Sequence, residues 1–147
     1  MKYLVLISIL VLSGCSSTPK EAADLGITPV MNLIAQTEEQ APSSVKGTFE
    51  LSIKGAGRQQ GVIYLNTEHD YRDRRNISVA IHPNVIKAFT SRYGTSPDEY
   101  FIDKTIEVTG KAKRVTIYFI SNGKRTDKYY FQTHIRVTSV DQIKVLS

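Results

Sequence analysis

Residues 66–76 read Asn-Thr-Glu-His-Asp-Tyr-Arg-Asp-Arg-Arg-Asn and place Glu68, Asp70 and Asp73 among Arg72, Arg74 and Arg75, with His69 and Tyr71 between them. Such a stretch can do three things. Arg72, Arg74 and Arg75 can form a fork for phosphate or carboxylate, because guanidinium groups grip both in pairs of hydrogen bonds. Glu68, His69 and Asp70 can ligate a metal or move protons, the basis of a hydrolase. The acids can instead occupy the arginines. The stretch is then a self-neutralised connection between strands, its Asp and Asn side chains bonding local amides. Surface ion pairs of that kind add little stability. The pattern favours this structural reading, since the acids compete for the arginines that a ligand would need.

A second cluster lies at 118–131, Tyr-Phe-Ile-Ser-Asn-Gly-Lys-Arg-Thr-Asp-Lys-Tyr-Tyr-Phe. Lys124, Arg125 and Lys128 can steer anions, and the neighbouring rings can stack on bases or sugars. On the following residues, strand alternation separates Tyr129, Phe131, Thr133, Ile135 and Val137 from Tyr130, Gln132, His134 and Arg136. The first set is expected to face the core. The second offers a polar and aromatic row to a ligand or to solvent. Residues 112–114, Ala-Lys-Arg, add charge near the same end.

Other chemistry has no support in the residue pattern. His69, His82 and His134 are scattered without metal-ligand spacing, and residues 55–61, Gly-Ala-Gly-Arg-Gln-Gln-Gly, lack the Lys-Ser/Thr ending of a phosphate loop. A hairpin turn explains that glycine-rich run. The reading therefore contains no metal, no cofactor and no catalytic residue, and the expected function is non-enzymatic.

The elements that must hold these residues follow from periodicity. Phe49, Leu51 and Ile53 alternate with polar neighbours, as do Ile77, Val79 and Ile81, and each run reads as a half-buried strand. Val62 to Leu65 is a strand between them. Pro83 opens a helix that ends near Gly94, and residues 96–102 add a short turn or helix. Residues 105–120 form a long strand bent at Gly110, Asn122-Gly123 is a tight-turn signal, and the return strand precedes a short last one near 142–146.

The chain has 147 residues, a net charge of +5 and a single cysteine, Cys15. That length suits one modest domain. Lys2 followed by the apolar run 3–12 reads as a secretion signal. Its end, Leu12-Ser13-Gly14-Cys15, resembles the lipobox of bacterial lipoproteins. The resemblance implies cleavage before Cys15 and lipidation of its thiol, so that residues 1–14 are a signal peptide. Several acyl chains anchor a protein firmly where one holds weakly. Ser16 after the cysteine implies delivery to the outer membrane, facing the periplasm. Residues 15–44, rich in Ser, Thr, Pro, Glu and Gln, are expected to form a flexible tether, with residues 29–34 loosely ordered.

The order of three strands, helix, two long strands and a short strand over residues 45–147 resembles the OB-fold. The fold class expected is mainly β, a small OB-fold-like antiparallel barrel with one helix between strands three and four. The resemblance implies a binding or adaptor module whose groove flanks the Asn122-Gly123 hairpin. Its partners would be the membrane through Cys15 and an envelope protein, glycan or anionic lipid. Nucleic acid is the alternative partner, as for many OB-folds. The candidate ligand-binding residues are Arg72, Arg74, Arg75, Lys124, Arg125, Lys128, Tyr130, His134 and Arg136.

Overall fold

The computed structural model describes residues 29–147; the expected signal peptide and Cys15 lie outside the described residues. The first described element is a helix, α1 (Pro29–Glu39). It is followed by β1 (Val45–Ser52), β2 (Gly55–Gln59), β3 (Val62–Asn66) and β4 (Ile77–Ile81). Two helices, α2 (Pro83–Tyr93) and α3 (Pro97–Tyr100), lead to β5 (Thr105–Ser121) and β6 (Lys124–Val137). A 3-10 turn, Val140–Gln142, precedes β7 (Ile143–Val145).

The seven strands make one sheet in the order β1-β5-β6-β4-β3-β2, with β7 also on β5. The fold is mainly β, as expected, but the sheet is mixed and its hydrogen-bonded path is open. β4 and β6 run parallel, so the expected all-antiparallel barrel is corrected on that pair. β1 and β2 stand at the two ends of the path and do not pair with each other. They are nevertheless consecutive in the chain. At the join, Ile53 N–H donates to Lys104 O at 2.9 Å, while Lys54 N–H donates to Asn66 O at 2.8 Å. The chain thus leaves the β5 side of the sheet at one residue and meets the β3 side at the next.

The core follows the alternation that the sequence shows. Leu51, Ile63, Leu65, Ile77, Val79, Ile81, Ile106, Val108, Ile135 and Val137 are buried on the inner face. Pro83 starts α2 because its fixed φ suits a first turn. Gly94, at φ +80°, ends it by donating its amide to Thr90 O. α2 sets Val85 and Phe89 into the core, and Phe89 meets Phe101 edge-on at 5.7 Å.

Two local expectations are corrected. Residues 55–59 are a strand, not turn material, and the turn falls on Gln60 (φ 50°) and Gly61 (φ 80°). Main-chain pairing with β3 overrides the poor strand propensity of Gly55, Ala56 and Gly57. Residues 29–34 belong to a helix rather than to a loose tether. Leu33 and Thr37 lie one turn apart and are buried, with Val30 and Ile34 packed beside them. Thr37 Oγ1 donates to Ile34 O at 2.8 Å and lies 3.2 Å from Thr133 Oγ1 on β6. A short polar helix of this kind gains its stability from docking, which composition does not report.

The Asn122-Gly123 turn is as expected, with φ of 51° and 73°. β5 runs unbroken past Gly110, where a side chain would press within 3.3 Å of Gln142 Nε2 and Ile135 Cγ2. At this point β6 leaves β5 and β7 takes its place. Gln142 fills the split, its Nε2 donating to Thr109 O (2.9 Å) and Arg136 O (3.2 Å).

Candidate functional site

Connection 67–76 is held from below by Asn76, which is 3 % exposed. Asn76 Oδ1 accepts from Glu68 N–H at 3.1 Å. Its Nδ2 donates toward Ser78 Oγ (3.0 Å), Asn66 Oδ1 (3.2 Å) and Tyr71 O (3.3 Å). Above it, Asp70 Oδ1 accepts from Arg72 N–H and Asp73 Oδ1 from Arg75 N–H, each at 2.9 Å. These are the local side-chain bonds that make Asp a turn residue.

The acids do not silence all three arginines. Asp73 grips Arg75 through a 2.7 Å ion pair, and that guanidinium holds its carboxyl down at about 2. Glu68 pairs with Lys54 at 2.9 Å. Arg72 donates to Tyr71 OH at 3.0 Å and lies 5.1 Å over that ring. Arg74 has no ion pair among the described residues. Glu68 and Asp70 therefore serve separate local contacts, His69 lines a neighbouring cleft, and no group of three or more His, Cys, Asp or Glu among the described residues is placed to hold a metal.

Arg72 and Arg74 open into a cleft of about 400 Å³ between α1, connection 67–76 and the β5–β6 hairpin. Arg114 lines the same cleft, its guanidinium 3.7 Å over the Phe131 ring. Among the described residues, Glu38 of α1 is the one carboxylate in the lining, against these three arginines. Phe119 and Tyr130, 5.4 Å apart, form the apolar wall together with Phe131. Arg72 and Arg74 are exposed and Arg114 is half-buried; guanidinium groups beside aromatic faces suit an anionic group attached to a flat or apolar body.

The candidate residues are thus divided. Arg72, Arg74 and Tyr130 come together. Arg75 turns away to a groove between α1 and β1. Lys124, Arg125 and Lys128 sit exposed at the hairpin tip and line neither cleft beside it; Arg125 stacks 3.2 Å over Tyr118. Arg136 is exposed, outside both clefts. His134 lies in a second cleft of about 510 Å³ with Tyr64, and Tyr130 and Gln132 line both clefts. Gln132 Nε2 donates to Tyr130 OH (3.1 Å) and Tyr71 O (3.2 Å), so its Oε1 is the acceptor for His134 Nε2 at 2.7 Å. Burial pushes the His134 imidazole down to about 4 and raises the Tyr130 hydroxyl.

Tyr129 and Phe131, expected in the core, are 55 % and 42 % exposed. The reason is length. At about 3.4 Å per residue, strands as long as β5 and β6 outrun the core beneath them. Before Thr133, at Tyr129 and Phe131, the inner face of β6 therefore meets solvent or ligand. Phe119 and Phe131 belong to the cleft wall through this projection. The length of the apolar runs on either side of Asn122-Gly123 was the signal that pointed to it.

No protein-family model, curated protein or solved structure matches the chain.

Proposed function

We propose that this protein is a lipid-anchored, periplasm-facing binding module of the bacterial outer membrane. It would hold a phosphate or carboxylate group of an envelope component in the Arg72–Arg74–Arg114 cleft. The observation that carries the reading is three guanidinium groups against, among the described residues, the single carboxylate of Glu38, beside a wall of aromatic rings. The anchor rests on the sequence Leu12-Ser13-Gly14-Cys15. We further propose an OB-type arrangement, in which residues 45–59 act as one sharply bent first strand. Its support is that the two end strands are consecutive and that α2 lies between β4 and β5.

The test compares the wild-type chain with R72Q/R74Q/R114Q against lipopolysaccharide, phosphatidylglycerol vesicles and purified peptidoglycan. Each charge-assisted hydrogen bond contributes about 1.5–3 kcal/mol, so the triple variant should lose at least roughly tenfold in affinity. It should also show a shallower salt dependence. Equal binding of both chains to all three probes refutes the site. Mass spectrometry of the N-terminal peptide tests the anchor, and an unmodified Cys15 refutes it.

A nucleic-acid reading has one observation of its own. Tyr118, Tyr129 and Phe131 form a row with ring spacings of 5.9 and 5.5 Å, capped by Arg125 and Arg114. Such rows stack bases. Titration with a labelled single strand at two salt concentrations decides it, because phosphate contacts make affinity fall steeply with salt.

A further inference from the structure

Among the described strands, β5 has two neighbours along only part of its length. Residues Thr105 to Ala112 pair with β1 on one edge, while β7 and β6 cover the other. From Lys113 to Ser121 no described strand pairs with the β1-side edge. The backbone directions can be read from the bonds at the start of the strand. Thr105 exchanges bonds with Leu146 and Ser147 beside β7, while Lys104 O accepts from Ile53 beside β1. Even-numbered backbone groups therefore face the β1 side. In the projecting hairpin the amides and carbonyls of Arg114, Thr116 and Tyr118 face outward.

This edge is regular. The register shift near Tyr118 and Ile120 is taken up by β6, where Thr126, Asp127 and Lys128 stand opposite Phe119 alone. Natural edges are blunted by charge, proline or bulges. Here Lys113 and Arg114 guard one end, and Val-Thr-Ile-Tyr-Phe-Ile follows, with Phe119 46 % and Ile120 64 % exposed.

We propose that a second copy of this chain pairs on this edge, antiparallel, with the two-fold axis at Ile117. The axis follows from the available length. The edge begins just after the residue paired with Val45 and ends at the turn, and Ile117 is its midpoint. Full overlap sets Lys113 opposite the partner's Ser121, Arg114 opposite its Ile120, Val115 opposite its Phe119 and Thr116 opposite its Tyr118. No like charges face each other, and β-branched residues meet aromatic ones, the favourable cross-strand pairing. Sliding the axis toward Thr116 would drive the partner's strand into β1.

The same register carries the basic tip of each copy, Lys124 and Arg125, toward the other copy's Arg114 end, where Glu38 lines the cleft. Glu39 follows at the end of α1. The partner's Ile120, opposite Arg114 on the inner face, completes the apolar wall of the anion cleft. The dimer does not depend on what that cleft binds.

Ile117 is a non-hydrogen-bonded position in the proposed pairing, so its Cα would lie about 4.5 Å from its mate, within disulfide range. The test is Ile117→Cys in the full chain, oxidised mildly in cells and run on a non-reducing gel. Most of the variant should appear as a homodimer band, while the wild type shows whether Cys15 links by itself. Thr116→Pro added to Ile117→Cys removes an amide facing the open edge without touching the β6 ladder, and should abolish the band with an unchanged circular dichroism spectrum. A folded Ile117→Cys chain that stays monomeric overturns the proposal. So does a band that survives Thr116→Pro, or one that joins the chain to another protein.

Discussion

Replacing Asn76 tests whether connection 67–76 is held by its buried amide or by the ion pairs above it. Asn76 makes contacts of 3.0–3.3 Å to Glu68 N–H, Ser78 Oγ, Asn66 Oδ1 and Tyr71 O, in a site closed to water. The fifth contact, Thr67 Oγ1 at 3.5 Å, is too long to count for much. With each net bond contributing about 0.5–1.5 kcal/mol, Asn76→Ala should lose about 2–6 kcal/mol. Asn76→Asp keeps the shape but reverses one side of the hydrogen bonding. A carboxylate oxygen would then face Asn66 Oδ1 and Tyr71 O, and a buried charge without a partner adds roughly a further 2 kcal/mol at pH 7. That carboxyl would have a raised pKa in the folded state, so the folded variant binds a proton that the unfolded chain releases. Its deficit relative to wild type must therefore shrink as pH falls from 7 toward 4. Urea unfolding of the three chains at pH 7, 5.5 and 4.5 measures this. Asn76→Asp no worse than Asn76→Ala at pH 7, or a deficit that does not change with pH, refutes the network. Equal stability of all three chains would mean that the exposed pairs Asp73–Arg75 and Lys54–Glu68 hold the connection instead.

Two further outcomes follow from the same geometry. The His134 imidazole is held at about 4, against an unfolded value near 6.5, so the unfolded chain binds more protons between these values. Its contribution is complete above pH 6.5 and falls as pH drops, by up to about 3 kcal/mol at pH 4. Denaturant titrations of wild type and His134→Gln across pH 4–8 should show the wild-type slope and a flatter variant, and parallel curves would disprove it. Gly110→Val forces a branched side chain against Gln142 Nε2 and Ile135 Cγ2, both 3.3 Å from its first carbon. The expected loss is about 1–3 kcal/mol in thermal or urea unfolding. Gly110→Val in a Gln142→Ala background should recover part of it, and no recovery would show that the strain lies elsewhere.

Much of the fold was legible because period-two alternation records which face of a strand meets the core. Ile77, Val79 and Ile81 show this in β4, and Pro83 and Gly94 mark the ends of α2 through backbone preferences that act within a few residues. The parallel pairing of β4 with β6 was not legible, because strand direction depends on which distant strands become neighbours. α1 was hidden for a related reason. Its stripe of Leu33 and Thr37 has value only against Thr133 and the core, 96 residues further on for the Thr37 contact. In the site, arginines at 72, 74 and 75 look alike in sequence. Asp73 claims Arg75 because its Oδ1 already accepts the Arg75 amide, which leaves Arg72 and Arg74 to the cleft.

By itself the sequence determined the mainly β character, the helix after β4, the tight turn at Asn122-Gly123 and the self-bonding nature of connection 67–76, since each depends on neighbours a few residues apart. Only the tertiary structure decided that Arg114 would join Arg72 and Arg74, that Tyr129 and Phe131 would stand clear of the core, and that no described strand would pair with the β1-side edge of β5 past Ala112. Those outcomes depend on how far the long hairpin extends past the elements packed beneath it, a distance that exists only once separate stretches of chain have met.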